Sequence, residues 1–208
     1  MRAGDAITRL REGNCRFVAG QTHAQAVMSP AKRAELASGQ HPFATVLGCS
    51  DSRVPVEAVF DQGVGDLFVV RVAGNVAGPL EVGSIELAAV RLGVRLVVVL
   101  GHSDCGAIKA ALDELRHPKG GLSPGLRSIV DGVRPAIERA LAAGSGSDVT
   151  AVIDAAVRAN IRAAAGELRD RSDVLRELIR TDGLVVVGAE YSLATGEVDF
   201  FDSLHEGL

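Results

Sequence analysis

Apolar residues fall into two kinds of pattern along the chain. One kind is short and unbroken. Residues 43–47, 67–72, 96–100 and 184–187 are rich in Val and Leu and bounded by Gly or charged residues. Such runs lack the alternation of a strand with one wet face, so they predict strands covered on both faces. The other kind recurs at helical spacing, across residues 79–92, 105–115, 126–142, about 149–168 and 174–180. Ser172 or Asp173 suits the cap of the last of these helices, and Gly183 stands just past its end. The alternation of strands and helices predicts an α/β fold: a central mostly parallel β-sheet with flanking helices. Residues 198–201 add a last strand by a hairpin around Thr195-Gly196.

The amino-terminal stretch is different. Ile7, Leu10, Phe17 and Val18 fall near one helical face, with charges between them. Polar residues follow to about Ala26. A short helix, residues 30–36, then begins at Pro30 with Ser29 as its cap. Residues 1–38 therefore read as a helical arm with little core of its own, expected to pack on a partner subunit. The segment Gly144-Ser145-Gly146-Ser147 reads as a flexible loop, so residues 1–208 form a single domain.

Composition narrows the function. Hydrophobic residues make up 47% and charged residues 23%, which excludes global disorder. A net charge of −4 without a basic stripe argues against nucleic acid as a partner. No apolar run approaches the roughly 20 residues that span a bilayer, so no membrane partner is expected. The first residues lack the apolar stretch of a signal peptide, and a cytoplasmic location is expected. Three cysteines are too few for a disulfide scaffold and read as metal ligands or core residues.

The chemistry concentrates in two segments that follow apolar strands. Cys49-Ser50-Asp51-Ser52-Arg53 follows residues 44–48, and His102-Ser103-Asp104-Cys105-Gly106 follows residues 96–101. In open parallel sheets, ligands gather at the carboxyl ends of strands. If the two strands are neighbours, Cys49 and His102 converge, each one or two residues past its strand. Cys105 follows one helical turn later if the helix has begun. Two thiolates and an imidazole suit zinc and leave a fourth position for water. A closed structural zinc site is the alternative, with Asp51 filling the fourth position. Cys15, in the arm, reads as a small apolar residue. There is no Cys-x-x-Cys redox pair. Cys105 stands where a hydrolase nucleophile elbow needs glycine, and Gly63-Val64-Gly65 lacks the third glycine of a dinucleotide loop. Asp51 beside such a metal accepts a hydrogen bond from bound water, and Arg53 holds that carboxylate bidentately. When that pair breaks, Asp51 can itself become the fourth ligand.

These motifs resemble those of the β-class carbonic anhydrases. The resemblance extends to Leu10-Arg11-Glu12-Gly13-Asn14, to residues 65–71, to Gly83-Ser84-Ile85-Glu86 and to Gly188-Ala189-Glu190-Tyr191. It implies a β-carbonic anhydrase-like fold and reversible hydration of CO2 to bicarbonate and a proton by zinc-bound hydroxide. One Zn2+ per subunit would be held by Cys49, His102 and Cys105, with Asp51 and Arg53 as the catalytic dyad. Substrate would be bound by Gln40 from across a dimer interface and by Phe68, Ala73, Leu87 and Gly106. Ala73 and Leu87 stand where some members carry Val and Tyr. Members with a regulatory bicarbonate site carry Trp where this chain has Val46, so no such site is expected. A homodimer or homotetramer is implied. His23, His41, His117 and His205 are surface residues, none clearly placed as a proton shuttle. Two rival readings share the motifs: hydrolysis of CS2 or COS on the same fold, and a non-catalytic zinc-stabilised scaffold.

Overall fold

The computed structural model describes residues 1–23, 30–118, 120–143 and 148–202. Ser29, the 144–147 loop and His205 lie outside them. Five strands form one sheet: β1 (Ala44–Cys49), β2 (Leu67–Val72), β3 (Leu96–His102), β4 (Val185–Tyr191) and β5 (Val198–Asp202), in the order β2-β1-β3-β4-β5. The first four are mutually parallel, and β5 returns antiparallel to β4. Every residue of β1 and β3 is buried, which is why these strands read as unbroken apolar runs.

Successive side chains point to opposite faces, so each strand feeds two cores. Leu47, Val97, Val99 and Val186 pack with the helices α4 (Pro79–Arg91), α5 (Gly106–Arg116), α6 (Pro124–Ala142), α7 (Val149–Arg171) and α8 (Asp173–Thr181). Val46, Val98, Leu100 and Val187 pack on the other face with α1 (Ala3–Val18) and α3 (Val56–Val59). The helix α2 (Pro30–Leu36) buries none of its residues.

The amino-terminal helix departs from expectation. Its inward face is Ala3, Ala6, Ile7, Leu10, Gly13 and Asn14, whereas Val18 is exposed. Gly13 admits no side chain, because a Cβ there would fall 1.8 Å from the Phe60 carbonyl oxygen. That close approach lets Asn14 donate to the carbonyls of Val59 (3.1 Å) and Gly196 (2.9 Å) and accept from the Val198 N–H (2.9 Å). The arm thus shares its own chain's core. Cys15 is exposed rather than a core residue, because it sits one step beyond that face.

Several boundaries also move. Four of the strands extend further toward their carboxyl ends, to Cys49, His102, Tyr191 and Asp202. The helix α6 starts earlier than its apolar period suggests, because Ser123 caps it through the Leu126 N–H and Pro124 occupies its first turn. Ser172 caps α8 by accepting from the Leu175 N–H. No helix among the described residues is long and apolar enough to cross a membrane.

Candidate metal centre

The centre forms where β1 and β3 end side by side. Gly48 pairs with Leu100, which places Cys49 and His102 at adjacent strand ends. Both are the last residues of their strands rather than residues beyond them. Cys105 does not lie on a helix either; it caps α5. Asp104, with φ 59°, turns the chain between His102 and Cys105. That left-handed step is open to Asp because its short side chain tolerates it. The turn brings Cys49, His102 and Cys105 together, their ligand atoms all within 4.8 Å of one another and all three residues buried.

The donor atoms are prepared for a metal. The His102 Nδ1 lies 2.9 Å from the Ser103 carbonyl oxygen, which fixes the proton on Nδ1 and leaves the Nε2 lone pair free. That Nε2 is buried and has no hydrogen-bond partner. Ser103 is itself held, its N–H donating to the Tyr191 carbonyl (2.9 Å) and its Oγ accepting from the Leu193 N–H (3.0 Å). The hydrogen bond from Cys105 pulls the Cys49 thiol well down, against burial, with His102 and the Gly74 and Asp51 backbones adding to it. The same bond and burial push Cys105 up. Burial opposes charge on His102, but Cys49 and the Ser103 carbonyl turn its shift upward. Two sulfurs, one free lone pair and a buried position fit zinc.

Beside the donors stands a carboxylate in a fork. Arg53 donates from Nε to Asp51 Oδ1 (2.9 Å) and from a terminal nitrogen to Oδ2 (2.7 Å), while the Arg53 backbone N–H also reaches Oδ1 (3.0 Å). This holds the Asp51 carboxyl well below the usual carboxylate range. Asp51 Oδ2 lies 3.8 Å from His102 Nε2. Arg53 also reaches the Asp104 carbonyl (3.4 Å), and Lys109 pairs with the Asp104 side chain.

The other expected residues stand at different places relative to this centre. Phe68 pairs with Thr45 and Cys49 pairs with Val72, so Phe68 lies four residues down the sheet, about 13 Å from the cysteine along the strand. Gln40 is exposed before β1, and Leu87 is 51% exposed on α4. Ala73 is half-buried in the turn after β2, and Gly106 is the exposed first residue of α5. His41 and His117 are exposed, and the His23 ring lies 3.3 Å from Asp61.

Two supports escaped the sequence reading. Arg71, exposed on the edge strand β2, donates to the carbonyls of Cys49 (2.9 Å) and Asp51 (2.6 Å). Its signal was a lone arginine in an apolar strand. Asn160 on α7 is buried and donates to the Gly74 carbonyl at 2.7 Å, and the Gly74 N–H points at Cys49 Sγ, 3.4 Å away. Its signal was a polar residue on the buried stripe of Ala156 and Ala164. A cavity of about 740 Å³ between α4, α6 and α7 touches this support at Val72 and Asn160.

Residues 44–198 match the carbonic anhydrase family. The chain is 40% identical to carbonic anhydrase 2 of Mycobacterium tuberculosis over 197 residues, covering 94% of this chain and 91% of that protein. It superposes on the β-carbonic anhydrase CafA of Aspergillus fumigatus with a TM-score of 0.73 at 28% identity, covering 96% of this chain and 90% of the other. A tetrameric β-carbonic anhydrase of Sordaria macrospora shares the fold with a TM-score of 0.74 at 24% identity, covering 95% and 97% of the two chains.

Proposed function

The chain belongs to the β-class carbonic anhydrases, zinc-dependent lyases that interconvert carbon dioxide and bicarbonate, and we propose that Cys49, His102 and Cys105 hold its zinc. The observation that carries this reading is the buried, unpartnered His102 Nε2 beside two cysteine sulfurs. Zinc bound there supplies a Lewis acid that brings the deprotonation of water toward neutral pH.

The remaining work falls to the chain's own side chains. Asp51 is kept ionised by the Arg53 fork, so it accepts a hydrogen bond from the reacting water and aims an oxygen lone pair at carbon dioxide. Arg53 engages both carboxylate oxygens while Oδ2 stands 3.8 Å from His102 Nε2; release of that grip is the proposed route by which Asp51 becomes a fourth ligand. Carbon dioxide is apolar and needs a dry slot, for which Ala73 is proposed because its neighbour Gly74 lies against Cys49 Sγ. Gln40 precedes β1 and Phe68 lies near the start of β2, both at the opposite end of the strands from Cys49, and Leu87 is exposed, which supports a pocket completed by a second subunit. Gly106 flanks the Cys105 ligand and is proposed as a substrate contact.

The exposed α2 helix and the apolar residues Leu80, Leu87 and Val90, exposed on α4, support a dimer, as do tetrameric relatives of the same fold for a larger assembly. The proposed unit is one domain with one zinc per subunit. Val46 is buried where a regulatory bicarbonate site would need Trp, so the proposal includes no such site.

The test is metal analysis joined to stopped-flow CO2 hydration. Purified protein is expected to hold zinc and to turn over, and Cys49→Ala or His102→Ala to lose both together. Tight zinc retention with full turnover in either variant would refute the ligand assignment.

A further inference from the structure

Cys49 is held by more than its strand. The chain leaves β2 through Ala73–Asn75, and Gly74 there adopts φ 74°, a left-handed conformation. The position cannot relax by taking a side chain, since a Cβ would fall 2.9 Å from Val133 and 3.2 Å from Ala107. In this conformation the Gly74 N–H lies 3.4 Å from Cys49 Sγ. The carbonyl of the same residue accepts from Asn160 Nδ2 at 2.7 Å, across 86 residues of sequence. Asn160 is only 3% exposed and sits on α7 between apolar neighbours. Asparagine offers no packing advantage over leucine or alanine on that stripe, and a buried amide costs free energy unless it is bonded. Its bond is therefore the reason for its presence.

We propose that Asn160 is a positioning residue for the metal centre, fixing Gly74 so that its N–H hydrogen-bonds the Cys49 sulfur. An N–H donated to a thiolate withdraws charge from the sulfur and fixes the direction of its lone pairs. Partners in this outer layer commonly alter metal affinity by about 10–100-fold when removed. The inference rests on Cys49 being a zinc ligand, and it adds a residue that no strand-end motif contains.

The experiment compares the full-length wild type with Asn160→Ala and Asn160→Leu. Alanine favours the helix and creates no clash; leucine keeps the branched shape without the amide. Zinc affinity is measured by chelator competition, and the cobalt(II)-loaded proteins are read for their thiolate-to-metal charge-transfer bands. Expected are an affinity about tenfold or more below wild type and a shifted band in both variants. A residue that only packs α7 would change the unfolding midpoint and leave the band in place. Unchanged affinity and an unchanged band in a folded Asn160→Ala protein overturn the proposal, and should Asn160→Leu fail to fold, the alanine variant alone decides. A wild type that binds neither metal sinks the metal-centre reading as well; binding by the wild type with unaffected variants sinks the role of Asn160 alone.

Discussion

Truncation of Arg71 isolates the loop that carries both the first ligand and the carboxylate. One guanidinium spans two carbonyls, those of Cys49 and Asp51, at 2.9 and 2.6 Å. Charge-assisted hydrogen bonds are worth about 1.5–3 kcal/mol each when shielded. Arg71 is exposed and water can replace it, so about 1 kcal/mol for each bond is the appropriate scale. Arg71→Ala should then loosen the loop by about 1–2 kcal/mol, which lowers kcat/KM by roughly 5–30-fold. Cys49 remains on the buried strand β1, so zinc content should hold near one per subunit. Lysine cannot form the two-pronged contact, and Arg71→Lys should recover only part of the loss. The assay is stopped-flow CO2 hydration beside metal analysis on the same samples. Wild-type kcat/KM in fully loaded Arg71→Ala would refute the clamp. Full activity in Arg71→Lys alone would show that charge, not the fork, matters.

The dyad, the packing behind the centre and the arm give further tests. Asp51→Asn should keep zinc and lower kcat by about 10²–10⁴-fold, measured by the same assay, because the amide cannot accept from water while held by Arg53. Gly101→Ala places a Cβ 2.6 Å from the Ile161 side chain and should cost about 1–3 kcal/mol in urea unfolding, with Ile161→Val restoring part of it. Burial pushes the Asp61 carboxyl up, but Arg16 and His23 pull it lower on balance. A depressed carboxylate gives stability above its unfolded pKa of about 4 that is lost as pH falls through its folded value. Asp61→Asn should therefore lower the urea midpoint most at pH 7 and progressively less as the pH falls below about 4; an equal loss at every pH would deny the carboxylate its role.

The ligands and the layers were legible because each rests on short-range chemistry. The runs that became β1 and β3 are buried on both faces, and unbroken apolar sequence is what that burial requires. The Asp51–Arg53 fork closes over two residues, so spacing alone revealed it. The inward face of α1 was misread because small residues make it. Gly13 and Asn14 carry no hydrophobic signal, yet one permits backbone contact with Phe60 and the other joins three separate segments. Asn160 and Arg71 act 111 and 22 residues from Cys49, distances over which no local pattern operates. Phe68 was assigned to the pocket by resemblance, and only the β1–β2 register reveals how far it lies from Cys49 in its own chain.

The strands and the turns contribute different things to this centre. Register between β1 and β3 sets the separation of Cys49 and His102, and neither residue needs unusual backbone to reach it. Everything else is delivered by turns. Asp104 (φ 59°) swings Cys105 back toward the other two, and Gly74 (φ 74°) aims its N–H at Cys49. Asn75 follows at φ 44°, buried, with its Nδ2 unpartnered. A non-glycine residue in this region costs about 1–3 kcal/mol and persists only where its surroundings over-determine it. The surroundings do so here through long-range bonds: Asn160 on the Gly74 carbonyl, Arg71 on the Cys49 and Asp51 carbonyls, and Leu193 on Ser103. Each tie comes from a different element. The sheet therefore sets where the ligands stand, and the α7, β2 and β4–β5 connections hold the turns that orient them. Substitutions in those connections should change the chemistry before they change the fold.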